Sequence, residues 1–227
     1  METINWFDKD KYERQKVLDI FGLNTPDNRF VPNEQALRRI DLLEHPGWSI
    51  RCSRRENQHY SEDKIMKGLK ERIPSKLRGH LDGGFLPHLF DYPTDFVLTI
   101  LEYLLDVNLD IIIMPGINIA DCEFAGAIWK LGRQQMIVEI IDGPYSVREV
   151  TVKGNISRRF DWPNKPVSSP IRRAIYQIQQ LPFNDVIFEF SHYHKEIGKR
   201  NDTLIFWDYL SAKQYGTKSL IHAILQK

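Results

Sequence analysis

The sequence predicts an α+β protein of two lobes, each built on a mainly antiparallel sheet. Three observations carry that reading. Through the first half, amphipathic helical patterns alternate with short strand patterns such as "RFV" and "WSIRCS". In the second half, "EFAGAIWKLG", "QQMIVEIIDG" and "VREVTVKGNISRRF" follow one another as strands separated by Gly-containing turns, the composition of an antiparallel meander. Between them the apolar run "LDIIIMPG" stops at Pro115–Gly116, a break that divides the chain into lobes 1–115 and 116–227.

"KDKYERQKVLDIF" places Tyr12, Val17, Ile20 and Phe21 at helical spacing, and Gly22 stands where a C-terminal cap belongs. "LNTP" turns the chain into the strand "RFV". Asn33 is the expected N-cap of a helix over "NEQALRRIDLLEH", stopped at Pro46–Gly47. In "WSIRCS", Trp48, Ile50 and Cys52 alternate with Ser49, Arg51 and Ser53. The charged stretch from Arg54 to Pro93 predicts one helix near 62–73 and a mobile, lid-like loop around "HLDGGF". "TDFVLTILEYLLD" is a helix starting at Thr94. In "IRRAIYQIQQL", Ile171, Ile175, Ile178 and Leu181 form one apolar stripe. "DVIFEF" and "TLIFWDYL" then read as strands joined by a loop over "SHYHKEIGKRND", and "GTKSLIHAILQK" as a short final helix.

Composition narrows the class. Among 227 residues, 31 Lys and Arg balance 30 Asp and Glu, so no global field favours nucleic acid or an anionic membrane. Cys52 and Cys122 lack metal-ligand spacing and are expected as reduced thiols of a cytoplasmic protein. "METINWFDKDKYERQK" has no signal-peptide core, and no apolar run nears the roughly 18 residues of a membrane span. Walker A, dinucleotide-binding, G-x-S-x-G and HExxH patterns are absent.

The chemistry-bearing positions are acids and cations set into strands. Glu189 and Asp208 each interrupt an apolar strand, where a charge is costly without a partner. Glu189 alternates with Ile187 and Ser191, against Val186, Phe188 and Phe190, as on a sheet lining a cleft. Two carboxylates on neighbouring strands suit Mg²⁺, which takes one or two carboxylates together with phosphate oxygens; the competing reading is an edge-strand charge that blocks aggregation. Lys153, in "VTVKG", shares a face with Thr151 and could meet phosphate; Lys16 and Lys130 are weaker candidates. Glu139 could hydrogen-bond a ribose or face solvent. Arg51 has the directed fork that suits phosphate, and Arg54 and Arg55 extend its cluster, although strand cations are ordinarily solvated. His192 and His194 could share a strand face as metal ligands, but a solvated turn is the more economical reading.

The order of these segments resembles the ATP-grasp superfamily, in particular the nucleotide-binding domain of phosphoenolpyruvate synthase and pyruvate phosphate dikinase. "SIRCS" is similar to that family's Arg-Ser-Ser strand, "EFAGAIW" to its small-residue turn, and "IDGPYSVREVTVKG" to its Gly–Val–Gly hairpin. The strands with Glu189 and Asp208 resemble those carrying its metal ligands. The resemblance implies Mg-ATP-dependent phosphoryl transfer or ligation on an unknown acceptor, by a transferase, kinase or ligase. It implies Arg51 and Lys153 as catalytic cations, Arg51, Arg54, Glu139 and Lys153 as nucleotide contacts, and Glu189 and Asp208 as Mg²⁺ ligands. The expected cleft lies between residues near 51–55 and 110–115 on one side and 139–208 on the other.

Two departures weaken the match. Ile187 replaces the first acid of the family's acidic strand, and "IFWDYL" stands where a Gln-containing motif would. The enzymes also continue into a phosphohistidine domain, so their complete reaction is not expected of this chain alone. These departures favour a rival reading, a nucleotide-binding module without turnover. A metal-dependent nuclease is the other rival, argued against by the near-zero net charge.

Overall fold

The computed structural model describes residues 11–45, 47–53, 62–75, 89–90, 94–115, 122–142, 158–164, 167–193 and 204–212. The chain splits into two compact units: Met1–Pro26 with Asn118–Lys227, and Asp27–Ile117. Residues 1–26 thus group with the second half of the chain. Among the described residues no helix is long and apolar enough to cross a membrane.

In the unit Asp27–Ile117, strands β1 (Arg29–Val31), β2 (Gly47–Ser53), β3 (Leu89–Phe90) and β4 (Asp110–Pro115) form an antiparallel sheet of order β1-β4-β2-β3. β4 is central, and Ile111 to Met114 are buried on both its faces. Helices α2 (Glu34–Leu37), α3 (Glu62–Arg72) and α4 (Thr94–Asp106) accompany it. Asn33 caps α2, its Oδ1 accepting from Ala36 N–H at 2.9 Å. The helix expected to reach Pro46 ends at Leu37. Asp41 Oδ1 accepts from Leu43 N–H, a local turn that competes with helical pairing. Ile65, Leu69, Phe96, Ile100, Leu101 and Leu104 pack with Trp48 and Ile50 into one core.

The other unit holds a five-stranded antiparallel sheet of order β7-β6-β5-β8-β9. Its strands are β5 (Cys122–Lys130), β6 (Met136–Asp142), β7 (Arg158–Trp162), β8 (Val186–Tyr193) and β9 (Leu204–Ser211). Strand β8 runs on to Tyr193, so Ser191 and His192 belong to the sheet and not to the expected loop. Helix α5 (Ser169–Gln180) lays Ile171, Ala174, Ile175 and Ile178 against Ile128, Val138, Val186, Phe188 and Phe190. Each fully buried isoleucine contributes about 1.5–3 kcal/mol of transfer free energy.

Helix α1 (Lys11–Ile20) adds Val17 and Leu18 to that core. It closes on Gly22, whose φ of 86° is a left-handed conformation that glycine adopts without strain, with Leu23 N–H donating to Leu18 O. The helix and the turn after it cover β9: Gln15 Nε2 donates to Trp207 O at 2.6 Å, and Phe206 N–H donates to Asn24 O at 2.8 Å. An otherwise open sheet edge is thereby satisfied.

Candidate functional site

Strand register gathers the acids. Across the five-stranded sheet, Arg159 lies opposite Glu139, Glu139 opposite Ala127, Ala127 opposite Glu189, and Glu189 opposite Asp208. Directly opposed residues share a face, and neighbouring strands stand about 4.8 Å apart. Three carboxylate residues therefore fall in a single row, with the methyl group of Ala127 between the two glutamates. The opposite face carries Phe188, Phe190, Ile128 and Val138 into the main core, as the alternation around Glu189 predicts. Strand β8 is interior to the sheet, so Glu189 is no edge-strand charge.

The members of the row differ in burial. Glu139 has no exposed surface, which overturns the solvent-facing alternative read from the sequence. Glu189 is half-buried. On one side of the row, Trp129, Ile137 and Ile187 form a small apolar cluster with Ala127 and Ala212. On the other, Ser191 Oγ accepts from Trp207 Nε1 at 2.9 Å. Beyond it, burial pushes the Cys122 thiol and the Tyr193 phenol up from their ordinary values, so both stay protonated at neutral pH. Cys122 is a free, buried thiol.

Asp208 is held by a residue that sequence reasoning missed. A bulge between the Glu189–Asp208 and Phe190–Phe206 pairs leaves Trp207 without an opposing residue. Tyr209 and Phe206 then both enter the core, so strict alternation is broken and Asp208 leaves the core face. Its Oδ1 accepts from Arg14 Nε at 2.7 Å and its Oδ2 from Arg14 Nη2 at 2.9 Å. Tyr209 N–H donates to Oδ1 at 2.9 Å. The two side chains are only 15% and 9% exposed. The signal that could have found Arg14 is its place on α1, three and four residues before the buried Val17 and Leu18 and hence on the same helical face.

The remaining candidates are cations and histidines. Arg51 stands on β2 opposite Ile112; its side chain, with Arg54 and Lys153, lies outside the described residues. Lys130 is buried, and Nζ donates to Leu181 O at 2.6 Å, a structural bond within the core. Burial, assisted by Arg133, lowers its pKa. Lys16 is exposed and sits over the Tyr12 ring. His192 contacts Glu123 at 2.8 Å and stacks on Phe124, while His194 lies outside the described residues. Among the described residues no three His, Cys, Asp or Glu side chains converge as a ligand set.

No protein-family model and no curated protein matches the chain. Solved structures do. The macrocyclase MdnC of Microcystis aeruginosa MRC, bound with precursor peptide MdnA, superposes with a TM-score of 0.50 at 10% identity, covering 99% of this chain and 62% of that one. The fold is ATP-grasp-like. D-Alanine-D-alanine ligase from Helicobacter pylori (TM-score 0.46, 9% identity) covers 89% of this chain and 50% of that one. A RimK domain ATP-grasp protein from Sphaerobacter thermophilus DSM 20745 (TM-score 0.44, 10% identity) covers 96% and 67%. This chain therefore spans about half to two thirds of the length of these ATP-grasp-like neighbours.

ATP-grasp ligases use ATP and Mg²⁺. A magnesium ion shared by Glu189 and Asp208 would need carboxylate oxygens from both, yet both oxygens of Asp208 accept from a guanidinium. The Glu189–Asp208 pair does not fit a shared magnesium ion.

Proposed function

We propose that this chain binds an adenine nucleotide and serves ATP-dependent ligation or phosphoryl transfer on an acceptor yet to be found. The observation that carries the reading is the row Glu139–Ala127–Glu189–Asp208 on the face of the sheet opposite the core, in an ATP-grasp-like fold. Two buried acids, Glu139 and Asp208, with half-buried Glu189 between them are costly to maintain, and sites are where such departures from apolar packing are kept. Glu189, the half-buried member, acts as a hydrogen-bond acceptor for the ligand; the ribose contact read from the sequence for Glu139 is not assigned, because that side chain has no exposed surface. Arg51, Arg54 and Lys153 are the cations assigned to phosphate, with Arg51 and Lys153 acting on the charge that develops during transfer. The narrower resemblance to phosphoenolpyruvate synthase rests on the order of sequence segments alone.

A second reading is favoured by Arg14. With Asp208 neutralised, and Ile187 in place of an acid on β8, a nucleotide-binding module without turnover is the simpler function. One experiment addresses both. Thermal denaturation with ATP, ADP, AMP and GTP, each with and without Mg²⁺, is expected to show stabilisation by adenine nucleotides. At 100 times the dissociation constant it amounts to about 2.7 kcal/mol. Arg51→Ala should remove most of it. No shift with any nucleotide sinks the proposal, whereas a shift without release of ADP or phosphate selects the module.

A further inference from the structure

We propose that Arg14 is a resident cation at this site, occupying Asp208 where a divalent metal would otherwise bind. The inference rests on the nucleotide reading only for which metal it displaces, and its test needs metal ions alone.

An ionised carboxylate offers about four acceptor positions. Arg14 Nε, Arg14 Nη2 and Tyr209 N–H fill three of them at 2.7, 2.9 and 2.9 Å. The paired fork is the geometry in which a guanidinium binds a carboxylate best, and neither group keeps much contact with water. The fork is also held in place before any ligand arrives. Val17 and Leu18 anchor the same face of α1 in the core, and the neighbouring Gln15 donates its Nε2–H to Trp207 O. A divalent ion approaching Asp208 would have to shed water, displace a fixed monocation and leave that cation buried without its counter-ion. Glu189 stands directly opposite Asp208 on β8. The charge of Asp208 is thereby balanced by Arg14 whatever the metal supply.

The test follows the Arg14 Nε–H resonance of the wild-type protein during a Mg²⁺ titration. The resonance is expected to stay in place and protected from exchange; its loss as Mg²⁺ rises overturns the proposal. In a parallel Mn²⁺ thermal-shift series, Asp208→Asn should respond to Mn²⁺ as wild type does. Arg14→Met should gain Mn²⁺ affinity by about tenfold or more, and Arg14→Met/Asp208→Asn should lose that gain. A weaker Mn²⁺ response in Asp208→Asn than in wild type, or no gain in a folded Arg14→Met, contradicts the assignment. If Arg14→Met does not fold, the wild-type resonance decides. Failure of ATP to stabilise any form would overturn the nucleotide reading while leaving these metal-ion outcomes legible.

Discussion

The two units handle charge in opposite ways. In Asp27–Ile117 the ion pairs Arg38–Glu34 and Arg72–Asp106 are well exposed, and Arg29–Glu44 is half so. The central strand β4 there is apolar on both faces. In the other unit Lys130, Glu139 and Asp208 are all buried. Exposed pairs are weak because water screens them and long side chains lose entropy in making them. Buried charges depend on their partners, and removing one leaves the other stranded in a poorly solvating interior. One unit is thus a scaffold that tolerates charge substitutions, and the other has its tolerance confined to particular side chains.

The largest difference should come from the arginines. Arg14→Met is expected to lose about 3–5 kcal/mol of unfolding free energy. Arg72→Met, which removes an exposed pair and the stacking over Tyr103, should lose about 1 kcal/mol. Urea denaturation of the two variants measures both. Equal losses would erase the contrast between the units.

Two glycines sharpen it at the level of packing. A Cβ at Gly126 would run into Glu139 O and come within 2.7 Å of Phe190 Cζ, so backbone of the acid-bearing strand would have to move. Gly126→Ala should cost about 1–3 kcal/mol. At Gly68 the obstacle is a side chain, the hydroxyl end of the Tyr103 ring, so accommodation requires that ring to shift and leaves backbone in place. The helix propensity gained, about 1 kcal/mol, offsets much of that adjustment. A Gly68→Ala variant as damaged as Gly126→Ala would show that the Tyr103 ring is fixed.

Alkaline titration gives the smallest effect. Burial raises Tyr209 to about 12 and Tyr193 further, against an ordinary value of 10. Above pH 10 the unfolded chain releases these protons while the folded chain keeps them. Stability from this source is present below pH 10 and falls as pH rises, by roughly 1 kcal/mol per pH unit for each tyrosine. Lys130 works in the other sense: its lowered pKa means stability rises as pH climbs through that value toward 10.5. Denaturation midpoints of wild type and Tyr209→Phe between pH 9 and 11 should show a shallower alkaline decline in the variant. Parallel curves would place the loss elsewhere.

The sequence by itself determined what depends on neighbours along the chain. Asn33 as a cap, Gly22 as a helix end, the isoleucine stripe of α5 and the alternation around Glu189 each follow from spacing of a few residues. Even the ladder pairing of Glu189 with Asp208 was within reach, because their strands are consecutive. Tertiary structure decided the rest. Glu139 joins the acid row only through the strand order β6-β5-β8. Asp208 leaves the core face only through the bulge at Trp207. The 194 positions between Arg14 and Asp208 are closed by the packing of α1 on the last strand. Periodicity reports which face of an element is apolar. It carries no information about which distant element will cover that face, because that depends on the order in which strands pair and on the edge left over.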